Sequence, residues 1–296
     1  MRITAALILV ALVATEPALA REKVNPLPEA AAATLAGKSL AVTRRGVLPS
    51  FMAMTAGMAT FALIGAAAMA SDGNHLVKDN NIPDPADTVE AVLIPAFIKQ
   101  YNVTPPSQPG HLITPGNDLK QIIGAAPGAD LIVDIRSIGW NFAYYPTHWA
   151  TYWVGYGVEV QLIDAKSAKV LADARCGSDT RNNAAPPSRE SLTTNNAQLL
   201  KDVLSNLSWD CSRQLASDEF HIAPGSLAEM PATLADPLGN FAAQAHGQAT
   251  PAAATPAATG STPAAPASPA ETAAPPSTPA ADAPAAVPAP ATPSDH

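Results

Sequence analysis

Hydrophobic positions follow two different periods along this chain, and the change of period predicts its elements. Lys38–Arg45 reads as a short, apolar-centred strand ended by two arginines, and in Ala129–Trp140 and again in Thr151–Asp164 the residues sort by alternate positions onto two faces, as in strands. Leu131, Val133 and Ile135 fall on one face of the second segment, and Ile132, Asp134 and Arg136 on the other. In the third, Tyr152, Val154, Tyr156, Val158, Val160 and Leu162 share a face, opposite Trp153, Glu159 and Gln161. A polar turn, Ala165–Lys169, leads into Val170–Cys176, so the last two strands are predicted to form a hairpin.

Elsewhere the period is helical. Val89, Leu93, Phe97 and Tyr101 run along one face of a helix predicted to start at the cap residue Asp84, with Pro85 at its first position, and to bend at Pro95. Asp87 and Glu90 suit the positive end of its dipole. A short helix is expected at Asp118–Ala125. Ser188 caps a final amphipathic helix whose stripe is Leu200, Val203, Leu204, Leu207 and Cys211. Gly46–Ser71 is uncharged and apolar all round, with small residues four apart at Ala53/Gly57 and Ala62/Ala66/Ala70. It reads as a tightly packed buried helix, or alternatively as a segment entering a bilayer or an oligomer contact.

The ends have other compositions. Residues 1–20 carry one arginine, an apolar run and then Ala18-Leu19-Ala20, the pattern of a secretory signal cleaved between Ala20 and Arg21. No cysteine lies near that site for lipid attachment. Residues 250–296 are almost wholly Ala, Pro, Thr and Ser, which cannot bury enough apolar surface to order themselves and suit an extended spacer. The expected plan is a signal at 1–20, a linker at 21–35, one domain at 36–217, an irregular linker at 218–249 and a disordered tail at 250–296. The predicted class is α+β: a small mixed sheet of four to five strands, including the C-terminal hairpin, packed by two to three helices.

Composition narrows the function. The net charge of −8 argues against nucleic acid and anionic lipid headgroups. An even pair of cysteines in an exported chain predicts one disulfide, and Cys176 at the last strand's end and Cys211 on the helix stripe are placed to form it. The six histidines show no metal-ligand spacing, and there is no phosphate loop, nucleophile elbow or S-x-x-K motif. No cofactor or metal is expected, and catalysis is not, His148 being the only base worth testing.

Three of the four tryptophans and four of the five tyrosines lie in "GWNFAYYPTHWATYWVGYG", Gly139–Gly157. Strand parity puts Tyr152 and Tyr156 in the core. It puts Trp140 and Phe142 on the wetter face with Asp134 and Arg136, and Trp153 also outward. Tyr144, Tyr145, His148 and Trp149 surround a turn at Pro146. Trp140, Phe142, Tyr144, Tyr145, His148, Trp149 and Trp153 are therefore the candidate binding face. Its cover could be the chain's own helices, another protein or copy, or lipid or carbohydrate.

The segments "GADLIVDIRS" and "VGYGVEVQLIDAKSAKVLADARC" carry a resemblance. A strand opening Ala-Asp, a strand ending in two apolar residues and Asp, a short Lys/Ser turn and a strand opening Lys-Val-Leu are similar to the α/β domain of TolB amino-terminal regions. They also resemble the curli-secretion-channel superfamily, with its many proteobacterial envelope lipoproteins and secreted proteins. The resemblance implies a non-enzymatic envelope role in binding, assembly or secretion support, and the signal without a lipobox cysteine places the expected location in the periplasm of a Gram-negative bacterium. An envelope protein or a second copy is the expected partner, with membrane contact through Gly46–Ser71 as the alternative.

Overall fold

The computed structural model describes residues 25–59 and 62–247, so the signal with its Ala20/Arg21 junction and the tail at 250–296 lie outside the described residues. The class is the expected mixed α/β one, with six strands rather than four or five. They are β1 (Leu40–Arg45), β2 (Met52–Met54), β3 (Leu112–Thr114), β4 (Leu131–Tyr145), β5 (His148–Asp164) and β6 (Lys169–Asp179). The helices are α1 (Glu29–Ala32), α2 (Ala56–Ala59), α3 (Ala62–Asp79), α4 (Ala86–Tyr101), α5 (Leu119–Ala125), α6 (Arg189–Gln214), α7 (Ala232–Ala235) and α8 (Pro237–Gly247).

The sheet runs β3-β1-β4-β5-β6, and β4 is its spine. Its first half pairs in parallel with β1 (Leu40 opposite Leu131) and its second half in parallel with β2 (Ala53 opposite Phe142). β4, β5 and β6 form an antiparallel meander, as the alternation predicts. On one face Leu131, Val133, Ile135, Val158, Val160 and Leu162 meet Val89, Leu93 and Phe97 of α4 and the predicted stripe of α6 in one core. The other face is not uniformly wet. Ile122 of α5 covers Ala41, Ile132 and Ile163, so Ile132 is buried although it lies opposite the main core.

The core also reaches past residues 36–217. Leu27 and Leu35 before it, and Phe220, Ile222 and Leu238 after it, are buried, so the expected linkers at 21–35 and 218–249 supply packing. Each of these side chains contributes roughly 1.5–3 kcal/mol by leaving water, enough to fix a loop that composition alone leaves free.

Gly46–Ser71 is not one helix. Its start is irregular, β2 follows, and α2 and α3 come after. Phe51 sits fully buried just before β2, and α3 crosses that strand so closely that a Cβ on Gly73 would lie 1.8 Å from the Phe51 carbonyl oxygen. Close approach therefore rests on Gly73, while Ala66 of the small-residue series is exposed. No helix among the described residues is long and apolar enough to cross a membrane.

Two helix starts show what local sequence can set. Ser188 caps α6 by accepting a hydrogen bond from the Ser191 N–H at 3.0 Å. Asp84 accepts from the Ala86 N–H at 3.0 Å, but Pro85 stands in the cap position, one residue outside α4. The sequence predicts α6 to be continuous, and it is broken: Asn195, Asn196 and Ala197 have φ of 51°, 58° and 53°. Asparagine tolerates this left-handed region through its short polar side chain, whereas Ala197 gives up about 1–2 kcal/mol there.

Cys176 and Cys211 lie at disulfide distance between β6 and α6, with sulfurs 2.03 Å apart and Cα atoms 5.4 Å apart. The bond closes a loop with a sequence separation of 35, for which chain entropy gives about 3–4 kcal/mol. The double substitution Cys176→Ala/Cys211→Ala is expected to lower unfolding free energy by about that amount in urea titration. A loss below about 1 kcal/mol would show that the helix stripe alone holds α6 to the sheet.

Candidate functional site

The aromatic stretch forms the end of the β4–β5 hairpin, and one inserted residue decides which of its rings face the core. Ser137 pairs with Val158 and Gly139 with Gly157, leaving Ile138 as a bulge without a partner across the ladder. Beyond a bulge the side chains of a strand exchange faces. Trp140, Phe142 and Tyr144 therefore continue the face of Leu131, Val133 and Ile135, opposite Tyr156, Val154 and Tyr152. Trp140 (3% exposed) and Phe142 (0%) belong to the core, correcting the wetter face that plain alternation assigns them.

Their cover is the chain itself. Phe51 stands edge-on to Trp140 (5.4 Å between ring centres) and to Phe142 (5.6 Å), and Phe142 to Tyr152 (5.5 Å). Each edge contact adds about 0.5–1.5 kcal/mol beyond area burial. The Trp140 indole N–H donates to the Pro49 carbonyl at 2.8 Å, which gives this ring's polar edge a partner inside the protein. Tyr152 and Tyr156 are buried, as parity predicts, and Tyr144 packs half-buried against the same cluster. Burial raises the Tyr156 hydroxyl pKa far above its ordinary value, while the hydrogen bond with Ser137 opposes the rise.

The other rings stay outside. Trp153 pairs across the ladder with Ala143 and lies along the opposite face, its ring over Gly155, where a Cβ would come within 2.8 Å of it. The Arg181 guanidinium covers this ring at 4.0 Å from its centre. Tyr145 donates its hydroxyl proton to the Arg181 carbonyl at 3.0 Å, which holds the loop carrying that arginine. Trp149 is 68% exposed beside the turn, its indole N–H donating to the Pro146 carbonyl at 2.6 Å. His148 is exposed and its Nδ1 meets the Thr147 hydroxyl at 3.0 Å. Ile138, pushed outward by the bulge, is 45% exposed and was not singled out by alternation.

Toward the middle of the sheet this face becomes charged and closed. Asp134 accepts from Thr43 Oγ1 and Arg45 Nη1, both at 2.6 Å. Glu159, 1% exposed, sits between Arg136 and Arg175, whose Nη2 is 2.6 Å from its Oε2. Burial raises the Glu159 carboxyl pKa, and Arg136 pulls it the other way without overcoming that. Asp134 and Arg136 are thus ion-paired, each with a partner on another strand. Two donors here, Arg136 Nε and Asn141 Nδ2, are buried with no hydrogen-bond partner among the described residues.

A second polar cluster, which the sequence did not mark as one, lies on the helix side. Arg44 is buried (3% exposed) and bonded to Asp84, to Asp87 at 3.0 Å and to Glu90 at 3.3 Å, and His111 Nδ1 meets the same Glu90 at 2.8 Å. The signal was present: Arg44 occupies an apolar-face position of β1, Asp87 and Glu90 fall in the first turns of α4, and Asp84 stands just before it. Among the described residues, no group of three or more His, Cys, Asp or Glu is placed to hold a metal ion.

The sequence matches no protein-family model and no curated protein. Solved structures similar to this chain include the PelC dodecamer from Paraburkholderia phytofirmans, 17% identical with a TM-score of 0.25, covering 63% of this chain and 95% of that one. Lipoprotein GNA1162 from Neisseria meningitidis is 14% identical with a TM-score of 0.20, covering 60% and 99%. The LpoB C-terminal domain from Escherichia coli is 15% identical with a TM-score of 0.15, covering 49% and 84%. At TM-scores this low the likenesses decide nothing about this chain's function.

Proposed function

We propose that the chain is an exported, non-catalytic protein of the cell envelope that works through contacts with another protein or a second copy. The observation that carries this reading is the outer face of the β4–β5 hairpin end. Trp149 and Ile138 are exposed there, and Trp153 lies flat under a single arginine rather than under a helix. Tryptophan and arginine are the residue types that most often anchor protein interfaces. Export rests on the signal pattern of residues 1–20 and is supported by the cysteine pair. The chemistry at the turn does not favour catalysis: His148 Nδ1 meets the neighbouring Thr147 hydroxyl, and among the described residues no carboxylate pairs with the imidazole.

The double substitution Trp149→Ala/Trp153→Ala checks the reading. Self-association, measured by analytical ultracentrifugation, or recovery of a partner from envelope extracts is expected to fall at least about tenfold. Unfolding free energy should move by less than about 1 kcal/mol, because neither ring is part of the core. Unchanged association and unchanged recovery together would remove this face from the function.

A further inference from the structure

The geometry points to a second binding site, a cleft for a neutral oligosaccharide between α6 and α8. The cleft has a volume of about 690 Å³ and lies well away in sequence from the hairpin residues. Its walls are mainly side-chain amides and hydroxyls: Thr194, Asn195 and Gln198 from α6 face Asn240 and Gln244 from α8. One half-buried ring, Phe241, stands among them. Among the described residues the only charged group in the lining is Asp202, which accepts from Gln198 Nε2 at 2.8 Å.

That composition selects a ligand class. Most small-molecule sites are largely apolar with a few polar groups; here seven of the twelve lining residues carry amides or hydroxyls, beside the apolar Leu199, Pro237, Phe241 and Ala243. An anionic ligand would meet a carboxylate and no cation. A lipid chain or an apolar peptide anchor would meet amides. A sugar carries hydroxyls that both donate and accept, which is what side-chain amides match, and its C–H face can lie on a ring such as Phe241. The volume accommodates two or three sugar units.

The break in α6 gives a second, independent reason. Left-handed backbone at three successive residues is strained, and such strain gathers at binding sites. The two asparagines of the break divide their tasks. Asn196 is held from behind: with its amide turned so that the nitrogen faces the Asn80 carbonyl (3.1 Å), its oxygen accepts from Lys201 Nζ (2.9 Å). Asn195 is exposed and lines the cleft. A continuous helix would have turned this pair elsewhere.

The test is calorimetric titration of the full mature chain with tetra-N-acetylchitotetraose and, separately, with maltotetraose. Saturable binding of either, at about millimolar affinity or tighter, is expected. Asn195→Gly should weaken it about tenfold without lowering the melting temperature, since glycine adopts the left-handed backbone freely. Phe241→Ala should weaken it too, and the glycine variant separates loss of binding from loss of fold if α8 loosens. No saturable heat with either sugar up to about 10 mM overturns the proposal, as does Asn195→Gly binding like the parent. Trp149→Ala/Trp153→Ala should leave sugar binding unchanged; a loss in that variant would place the sugar on the hairpin instead and overturn the cleft.

Discussion

Phe142→Ala is expected to lower unfolding free energy by about 3–5 kcal/mol, measured by urea denaturation with the disulfide intact. The ring is fully buried between Phe51 and Tyr152, with edge contacts to both. Its removal loses the transfer free energy of the ring and leaves a cavity that strand backbone on both sides cannot collapse to fill. The same truncation at Trp149, 68% exposed, is expected to change stability by no more than about 0.5 kcal/mol. The contrast tests the bulge at Ile138 directly. With unbroken alternation Phe142 would lie on the other face, and the two substitutions would have similar, small effects. A Phe142→Ala loss below about 1 kcal/mol would contradict the exchange of faces.

The second large effect is expected at Arg44. Arg44→Ala should lower unfolding free energy by about 3–5 kcal/mol near neutral pH, because it strips the cation from a buried group of carboxylates. Asp84 and Glu90 have side chains only 12% and 16% exposed, so water cannot replace the guanidinium there. Asp87, at 56%, can be rehydrated and contributes less. Arg44→Lys should restore part of the loss and not all of it. A single ammonium cannot reach three carboxylates from two nitrogens as the planar guanidinium does. If the lysine variant matched the parent, the forked geometry would be irrelevant and only charge would count.

Much of the framework is legible in the residues. The period of two gives the β4–β5–β6 meander, because a half-buried strand must place like residues on like faces. The period of 3.6 gives α4 and the second part of α6, and Ser188 gives the start of α6 through one side-chain hydrogen bond. The candidate site was legible in part. Trp149 and Trp153 are outside and Tyr152 and Tyr156 inside, as parity and the turn at Pro146 imply.

The failures share a cause. The faces of Trp140 and Phe142 depend on a bulge, and a bulge is fixed by what β4 must pair with along both halves. Counting residues by twos cannot see it. The break in α6 carried a weak sign, Asn195-Asn196, but apolar spacing on either side reads through it as one helix. Gly46–Ser71 has too little pattern to choose a period, and its apolar character fits a helix, a span or a strand equally.

By itself the sequence determined the class of this protein, its central hairpin and the helix stripe that carries Cys211. These rest on interactions between residues near one another in the chain, whose spacing is written in the order of residues. Only the tertiary structure decided that Phe51 and β2 cover Trp140 and Phe142, that α5 buries Ile132, and that Arg44 gathers Asp84, Asp87 and Glu90. Except for α5, which lies close to Ile132 in the chain, those contacts join segments about 40 to 90 residues apart. Which rings remain on the outer face of the hairpin was settled by what the fold had left to cover it.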